Sequence, residues 1–175
     1  MIDCECRNKL FGRWPTPVRA EERILTERTL VLLKPDTVQR GIAGKVISRL
    51  EDRGMKIVGM KLMKMEIDIA RRHYAEHVEK PFFAGLSAFM MSRPIVAMAI
   101  EGKNVIEAVR STVGATNPQA AAPGTIRGDM AQDIGRNLIH ASDSSDAAAR
   151  ELAIFFSDDE LYDYEREGER WITES

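Results

Sequence analysis

A few polar residues of this 175-residue chain stand at the ends of apolar segments, where their side chains could act on a phosphate group. His140 lies near the end of the apolar run 137–141, just before a predicted helix. Neutral imidazole is a good nucleophile near pH 7, because its unperturbed pKa is about 6.5. Lys34 ends another apolar run, and Arg110 and Arg127 add two cations. Opposite such cations His140 could accept a phosphoryl group, although taken alone it is more simply interpreted as a hydrogen-bonded core histidine.

The other polar candidates also have simple interpretations when each is taken alone. A lysine at a strand end, such as Lys34, is often solvated, and Arg110 interrupts its predicted helix as an exposed polar face would. Arg127 could pair with Asp129, and the aromatic pair at 73–74 means little by itself on a helix. The glycines near residues 41–45 are spaced wrongly for a phosphate-binding loop, which needs Gly-x-x-x-x-Gly-Lys before Ser or Thr. They are interpreted as a turn that opens a helix.

Composition restricts the class of protein. The chain has 44% hydrophobic and 30% charged residues and a mass of 19.7 kDa, which fits one globular domain. Its 25 Lys and Arg against 27 Asp and Glu argue against a dedicated nucleic-acid-binding protein. The longest apolar stretch, 94–100, is far shorter than the ~20 residues that span a bilayer, and no secretory signal is visible. These features predict a cytoplasmic protein, in which Cys4 and Cys6 are inert thiols.

Periodicity predicts alternating strands and helices after an irregular, partly disordered N-terminal extension of residues 1–26. Strands are predicted over 29–33, 55–65, 94–101 and 137–141, and helices over 42–53, 67–77, 82–91, 105–113 and 147–156. In the last strand, alternation puts Leu138 on the same face as His140. Residues 114–136 form a predicted binding loop, and Trp171 is expected to anchor the tail. This order predicts an α+β fold with a four-stranded, mostly antiparallel sheet.

Seven segments of the chain occur together, and in this order, in one enzyme family. They span residues 27–36, 38–41, 73–74, 80–86, 114–118, 123–129 and 135–143. The most distinctive is Gly135-Arg-Asn-Leu-Ile-His140-Ala-Ser-Asp143. From Glu27 to Glu174 the chain resembles the nucleoside diphosphate kinases, and residues 27–175 are therefore expected to form one such domain.

The resemblance implies a phosphoryl carrier that works by a ping-pong mechanism. His140 resembles the histidine whose Nδ1 takes the γ-phosphoryl group of a nucleoside triphosphate and passes it to a diphosphate. Glu151 resembles the residue that orients this ring through its other nitrogen. Further catalytic or nucleotide-binding residues implied by the resemblance are Lys34, Tyr74, Arg110, Thr116, Arg127 and Asn137. Those implied for the base are Phe82, Leu86 and Ile134.

The resemblance also carries expectations about fold, metal and assembly. It implies a ferredoxin-like βαββαβ core with added helices, and Mg²⁺ held mainly by nucleotide phosphates and water, with no protein metal ligand. The implied partners are nucleoside di- and triphosphates. The implied assembly is a homo-oligomer, most often a hexamer, with residues 114–123 between subunits. The family usually has glycine where this chain has Thr37, Arg93 and Ala141, and Thr37 could tighten a loop.

Two other functions were weighed against this one. The same core topology occurs in nucleic-acid-binding and regulatory modules, but their aromatic-rich strand motif is absent from every predicted strand. Phosphorylation of protein side chains is chemically open to any enzyme that forms a phosphohistidine.

Overall fold

A four-stranded antiparallel sheet forms the centre of the computed structural model, which describes residues 26–173. The strands are β1 (Thr26–Leu33), β2 (Lys56–Met63), β3 (Ile95–Lys103) and β4 (Ile139–Ala141). Their spatial order is β2-β3-β1-β4, and every neighbouring pair is antiparallel. The predicted α+β class and the ferredoxin-like strand order are confirmed. The predicted extension lies outside the described residues except for Thr26, the first residue of β1.

Seven α-helices of the described residues connect and cover these strands. They are α1 (Pro35–Gln39), α2 (Ala43–Glu51), α3 (Ile67–His73), α4 (Phe83–Met91), α5 (Val105–Val113), α6 (Ile126–Met130) and α7 (Ser145–Phe155). Short 3₁₀ turns lie at Ala75–His77, Pro118–Ala120, Asp158–Glu160 and Glu169–Trp171. The sequence did not predict α1 and α6, because five residues are too few to show a helical period. No helix of residues 26–173 is both long enough and apolar enough to span a membrane.

The sheet has a hydrophobic core on each face, because alternate residues of β1 point to opposite sides. Val31 and Leu33 lie in the first core, with side chains of α2 and α5. Leu30 and Leu32 lie in the second core, with side chains of α3, α4 and α7. All four are fully buried. β1 therefore lies between two layers of helices and packs against both. The polar residues described below are carried by these layers and by the sheet.

Two arginines, one directly after α1 and one in α2, hold the predicted binding loop against the domain. Arg40 donates to the carbonyl of Met130 at 2.7 Å. Arg49 donates to the Asp129 carboxylate at 2.9 Å and also to the carbonyl of Gly124. Asp129 thus pairs with Arg49, so its suggested pairing with Arg127 is wrong.

The C-terminal tail is attached by residues other than Trp171. Trp171 is 81% exposed, so the prediction that it anchors the tail is wrong. Arg166 instead donates to the carbonyls of Gly54 and Met55 at 2.8 and 3.1 Å. The hydroxyl of Tyr164 donates to the carbonyl of Ile57 at 2.8 Å. These contacts attach the tail to the α2–β2 connection and to β2.

The predicted alternation in the last strand fails at Leu138. This residue has a φ of 71°, and β4 begins only at Ile139. Leu138 and Ile139 both lie in the first core, whereas His140 contacts α3 and α7 on the other side of the sheet. A positive φ at Leu138 reverses the direction of its side chain, so a period of two cannot describe this segment.

Candidate active site

The imidazole of His140 is held from one side by Glu151. β4 pairs His140 with Leu32 of β1, and α7 places Glu151 eleven residues further along the chain. His140 Nε2 lies 2.9 Å from Glu151 Oε2, and the Ser142 hydroxyl donates to the same oxygen at 2.7 Å. A carboxylate accepts hydrogen bonds, so this contact favours the tautomer with the proton on Nε2. Nδ1 then keeps its lone pair, on a side chain that is 22% exposed.

Glu151 is ionised in this environment. Burial alone would raise the pKa of its carboxyl group. The hydrogen bonds that the carboxylate accepts from His140 and Ser142 outweigh that effect and bring its pKa below the usual range. A negative charge therefore faces Nε2 at neutral pH.

His73 packs against His140, and sequence reasoning missed it. Its ring lies edge to face with that of His140, with centroids 4.5 Å apart. Its side chain is fully buried, and neither ring nitrogen has a hydrogen-bond partner in the described part of the chain. Burial, with the nearby charge of His140, lowers the pKa of His73 to about 3, so the ring is neutral. The sequence signal that could have revealed its burial is its position three residues after Ala70, on the same face of α3.

Tyr74, which the resemblance did assign to the site, follows His73 at the end of α3. The two rings are 4.4 Å apart between centroids. Burial raises the pKa of the Tyr74 phenol well above its ordinary value, and the negative charge of Glu151 adds to the shift. The phenol is therefore neutral and retains its proton for donation.

A second polar cluster surrounds Asn137, two residues before β4. The Lys34 ammonium donates to Asn137 Oδ1 at 2.6 Å. The amide of Asn137 donates to the carbonyl of Thr116 at 2.8 Å. Burial and the charge of Arg127 lower the pKa of Lys34 to about 8, although Asp36 opposes this shift. Lys34 thus remains mainly protonated at neutral pH.

Arg127 is a buried cation held by backbone carbonyls. Only 4% exposed, it donates to the carbonyls of Asn137, Gly114 and Ile139 at 3.2, 3.0 and 2.6 Å. No Asp or Glu of residues 26–173 forms an ion pair with it. Burial, with the charge of Arg110, lowers its pKa to about 10. Because its three acceptors are neutral carbonyls, its positive charge is not neutralised, and these three bonds use only three of its five N–H groups.

The remaining predicted site residues are less tightly connected. Arg110 is exposed and lies 3.4 Å from the carbonyl of Ala141, next to His140. Thr116 is exposed as well. Phe82 and Ile134 are more than half exposed, and Leu86 packs partly on the second core. Hydrogen bonds thus connect Lys34, Asn137 and Thr116 in one cluster and His140 with Glu151 in another. The roles assigned to all of these residues, and to the three base contacts, stay predictions.

Comparison with known protein families shows to which family the chain belongs. Residues 27–161 match the family model described as nucleoside diphosphate kinase. The chain belongs to the nucleoside diphosphate kinase family. Its activity is accordingly transfer of the γ-phosphoryl group from a nucleoside triphosphate to a nucleoside diphosphate. Kinases of this family typically act with a divalent metal ion.

Individual nucleoside diphosphate kinases match over most of the chain. The enzyme of Archaeoglobus fulgidus is 57% identical over 148 residues, which are 85% of this chain and 98% of the relative. That of Herpetosiphon aurantiacus is 56% identical, covering 85% and 99%. A solved structure of a halophilic nucleoside diphosphate kinase from Halobacterium salinarum, in complex with CDP, is 52% identical. It has a TM-score of 0.83 and covers 85% of this chain and 99% of that one.

The histidine cluster of this nucleoside diphosphate kinase offers metal-ligand atoms, but their hydrogen bonds indicate another use. Ligand atoms of His73, His140 and Glu151 lie within 4.8 Å of one another. Glu151 Oε2, however, already faces both His140 Nε2 and the Ser142 hydroxyl. The other charged groups that the resemblance places near the phosphates, Lys34 among them, are cations.

Proposed function

We propose that Nδ1 of His140 carries the phosphoryl group between the two nucleotides. In the first step its lone pair attacks the γ-phosphorus, an N–P bond forms, and the bond to the bridging oxygen of the departing diphosphate breaks. In the second step a terminal oxygen of the acceptor diphosphate attacks the same phosphorus and the N–P bond breaks. The observation that carries this proposal is the contact of 2.9 Å between Nε2 and Glu151, which leaves Nδ1 unprotonated.

Glu151 stabilises the charge that forms during the first step. A ring that keeps its Nε2 proton and binds phosphorus at Nδ1 becomes a cation. The carboxylate facing Nε2 offsets that positive charge in a partly buried site, where electrostatic stabilisation is strong. Ser142 supports the carboxylate through its bond of 2.7 Å to the same oxygen.

The cations of the second cluster bind the phosphate chain. Arg127 is buried and Lys34 is partly buried, and neither forms an ion pair with a carboxylate of residues 26–173, so a phosphate is the natural counter-ion for both. Arg110 adds an exposed guanidinium next to the strand of His140. Asn137 accepts from Lys34 and is itself held by the carbonyl of Thr116. Asn137 and Thr116 meet the ribose and phosphates, and Tyr74 donates its phenolic proton. A phosphoryl group in transfer spreads its charge over its oxygens, so positioned cations supply most of the catalysis.

The substrates are nucleoside di- and triphosphates, with Mg²⁺ as the divalent ion. The related Halobacterium enzyme was solved with CDP, which supports nucleotide binding by this chain. Phe82 provides an exposed aromatic face for the base, with Leu86 and Ile134 as apolar contacts. A bound Mg²⁺ would neutralise part of the phosphate charge. We assign it no protein ligand.

The assembly we propose is a homohexamer, and the compartment the cytoplasm. The hexamer follows from the family resemblance, as does the assignment of residues 27–175 to a single catalytic domain, whereas the compartment follows from the sequence features described above. Residues 114–123 are the proposed contact between subunits of the hexamer.

Labelling with γ-³²P-ATP tests the role of His140. We expect wild-type protein to take up an acid-labile, alkali-stable label, and His140→Ala to take up none while it keeps its melting temperature within a few degrees. His77→Gln is the matched control and should keep a full label. Loss of the nucleophile should lower transferase activity more than about a thousandfold, which corresponds to ~4 kcal/mol. An His140→Ala variant that retains more activity would refute the assignment, and an unlabelled protein that retains an oligonucleotide would favour a binding module.

A further inference from the structure

The backbone between Asn137 and the strand of His140 is strained. Leu138 has a φ of 71°, and the N–H of Ile139 donates to the carbonyl of Asn137 at 2.8 Å across it. Together these features define a γ-turn with positive φ, which is rare and unfavourable for a residue other than glycine. Strained backbone persists only where the surrounding structure enforces it, and it is concentrated at functional sites.

The start of α1 holds both peptide groups of this turn. The N–H of Leu138 donates to Asp36 Oδ2 at 3.0 Å. The carbonyl of Leu138 accepts from the N–H of Lys34 at 2.8 Å and from the hydroxyl of Thr37 at 2.5 Å. Thr37 is fully buried, and the side chain of Leu138 is fixed in the first core. Residues 34–37 therefore form a clamp on Leu138, and we call them the clamp below.

The turn decides where the functional side chains on either side of it go. Before it, Asn137 meets Lys34, the first residue of the clamp. After it, His140 meets Glu151 and His73 on the other side of the sheet. In a regular strand Leu138 would share the face of His140, but the turn sends Leu138 into the opposite core. The histidine ring is thus left free to contact α3 and α7.

We propose that Asp36 and Thr37 are positioning residues for phosphoryl transfer. Their bonds to Leu138 stabilise the strained turn and thereby set Asn137 and His140 relative to each other. This inference rests on the proposed role of His140. Asp36 provides the acceptor for the Leu138 N–H and has the larger effect. Thr37 adds a hydroxyl where the family usually has glycine, so its effect is smaller and particular to this chain.

The test measures the first-order rate of phosphoenzyme formation at saturating ATP, at a temperature where every variant is folded. Small misplacements of reacting groups can slow a reaction by about 100-fold. We expect Asp36→Ala to be about 10- to 100-fold slower than wild type, and Asp36→Asn, whose amide oxygen can still accept, to recover to within about fivefold. Thr37→Val should be at least threefold slower than Thr37→Ser, which keeps the hydroxyl. Thr29→Val is the matched control, because the buried hydroxyl of Thr29 has no partner in the described structure.

The outcomes separate positioning from stability and from charge. A residue that acts only on stability would lower the melting temperature and leave the rate of the folded enzyme unchanged, so an Asp36→Ala rate within twofold of wild type overturns the proposal. Asp36→Asn as slow as Asp36→Ala also overturns it, because charge rather than the hydrogen bond would then matter. If Asp36→Ala does not fold, equal rates for Thr37→Val and Thr37→Ser overturn it. Wild-type protein without label on His140 would instead refute the proposed function, and this inference with it.

Discussion

Glu151→Gln should slow phosphorylation of His140 while leaving the fold and nucleotide binding intact. Glutamine has the size of glutamate, and its amide oxygen can still accept from both His140 Nε2 and the Ser142 hydroxyl. The variant therefore keeps the orientation of the ring and removes only the negative charge. Since the ring becomes cationic when phosphorus binds Nδ1, the loss of that charge raises the barrier to transfer.

The size of the effect follows from the contact between the ring and the carboxylate. A hydrogen bond to a charged group contributes about 1.5–3 kcal/mol and one between neutral groups about 0.5–1.5 kcal/mol, so losing the charge of the buried Glu151 at 2.9 Å from His140 costs about 1–1.5 kcal/mol. At about 1.36 kcal/mol for each tenfold change in rate, this corresponds to a slowing of about 5- to 13-fold. The KM for ATP should change little, because the described hydrogen bonds of Glu151 reach the histidine cluster and not Lys34 or Arg127.

Rapid-quench measurement of the phosphoenzyme, with wild type, Glu151→Gln and Glu101→Gln, checks this prediction. Glu101 is a matched control, because it is half-buried and accepts from Arg28 and Lys56 at 2.7 and 2.9 Å. It is paired with Arg28, four residues and about 13 Å along β1 from the partner of His140. Glu101→Gln should lose some stability and keep the wild-type rate. Equal slowing of both variants, or a Glu151→Gln rate within twofold of wild type, would refute our account of Glu151.

The other expectations concern pH, base and assembly. Because the pKa of Lys34 is about 8 in the free enzyme, kcat/KM should fall as the pH rises through that value. Lys34→Arg should move this fall in kcat/KM to higher pH. A kcat/KM that stays constant up to pH 10 would contradict the phosphate-binding role of Lys34. All five common nucleoside diphosphates should be accepted, with kcat/KM values spread over about two decades, because stacking does not distinguish the hydrogen-bonding edges of the bases. Phe82→Ala should lower kcat/KM for all five, because stacking contributes about 1–3 kcal/mol per base. Steady-state kinetics check this, and a thousandfold preference for one base would contradict it. Light scattering should show a hexamer with or without residues 1–25, with about 118 kDa for the full chain (six times 19.7 kDa) and a proportionally smaller mass for the truncated one. A monomer in either form would disprove the proposed hexamer.

The helices and strands were predictable where the chain has a long and regular apolar period. Helix α5 was predicted with its observed bounds, because Ile106, Val109 and Val113 repeat on one face. The five-residue helices α1 and α6 were not predicted. Their starts depend on Pro35 at the first helical position and on the side chain of Thr125, which accepts from the N–H of Gly128 at 3.1 Å. Such local signals specify a start but cannot show that a helix follows.

The tail failed for a different reason. Trp171 is a large aromatic residue, and burial is the usual expectation for one at the end of a chain. The contacts that attach the tail come instead from polar atoms of Arg166 and Tyr164, which donate to carbonyls left free around Gly54 and on β2. Hydrophobicity along the sequence gives no information about which carbonyls lack a partner.

The site residues were named from motifs, but their relations to one another depend on contacts far apart in sequence. Lys34 and Asn137 are separated by 103 residues, and only the sheet brings them within 2.6 Å. His73 was passed over because the helical period of 3.6 residues shows which face of a helix is buried. It does not show which side chains of other elements that face contacts. The direction of His140 was derived from an alternation that the turn at Leu138 breaks. Strain of this kind is enforced from α1, which is remote in sequence from the turn.

The manner in which the cations are held supports the proposed binding of phosphate at this site. Arg127 donates to three carbonyls and Lys34 to an amide, so each is fixed by a neutral dipole. Carboxylate partners would have kept the pKa values of Lys34 and Arg127 high, but they would also have neutralised the positive charges that bind phosphate. Burial without such partners instead lowers both pKa values, to about 10 and about 8. Because removing a charge from water is unfavourable, the empty site is destabilised, and a bound polyphosphate regains that free energy through charge-assisted hydrogen bonds. Glu151, which is only 6% exposed, faces the histidine rather than Lys34 or Arg127, so its negative charge lies close to the ring that becomes positive.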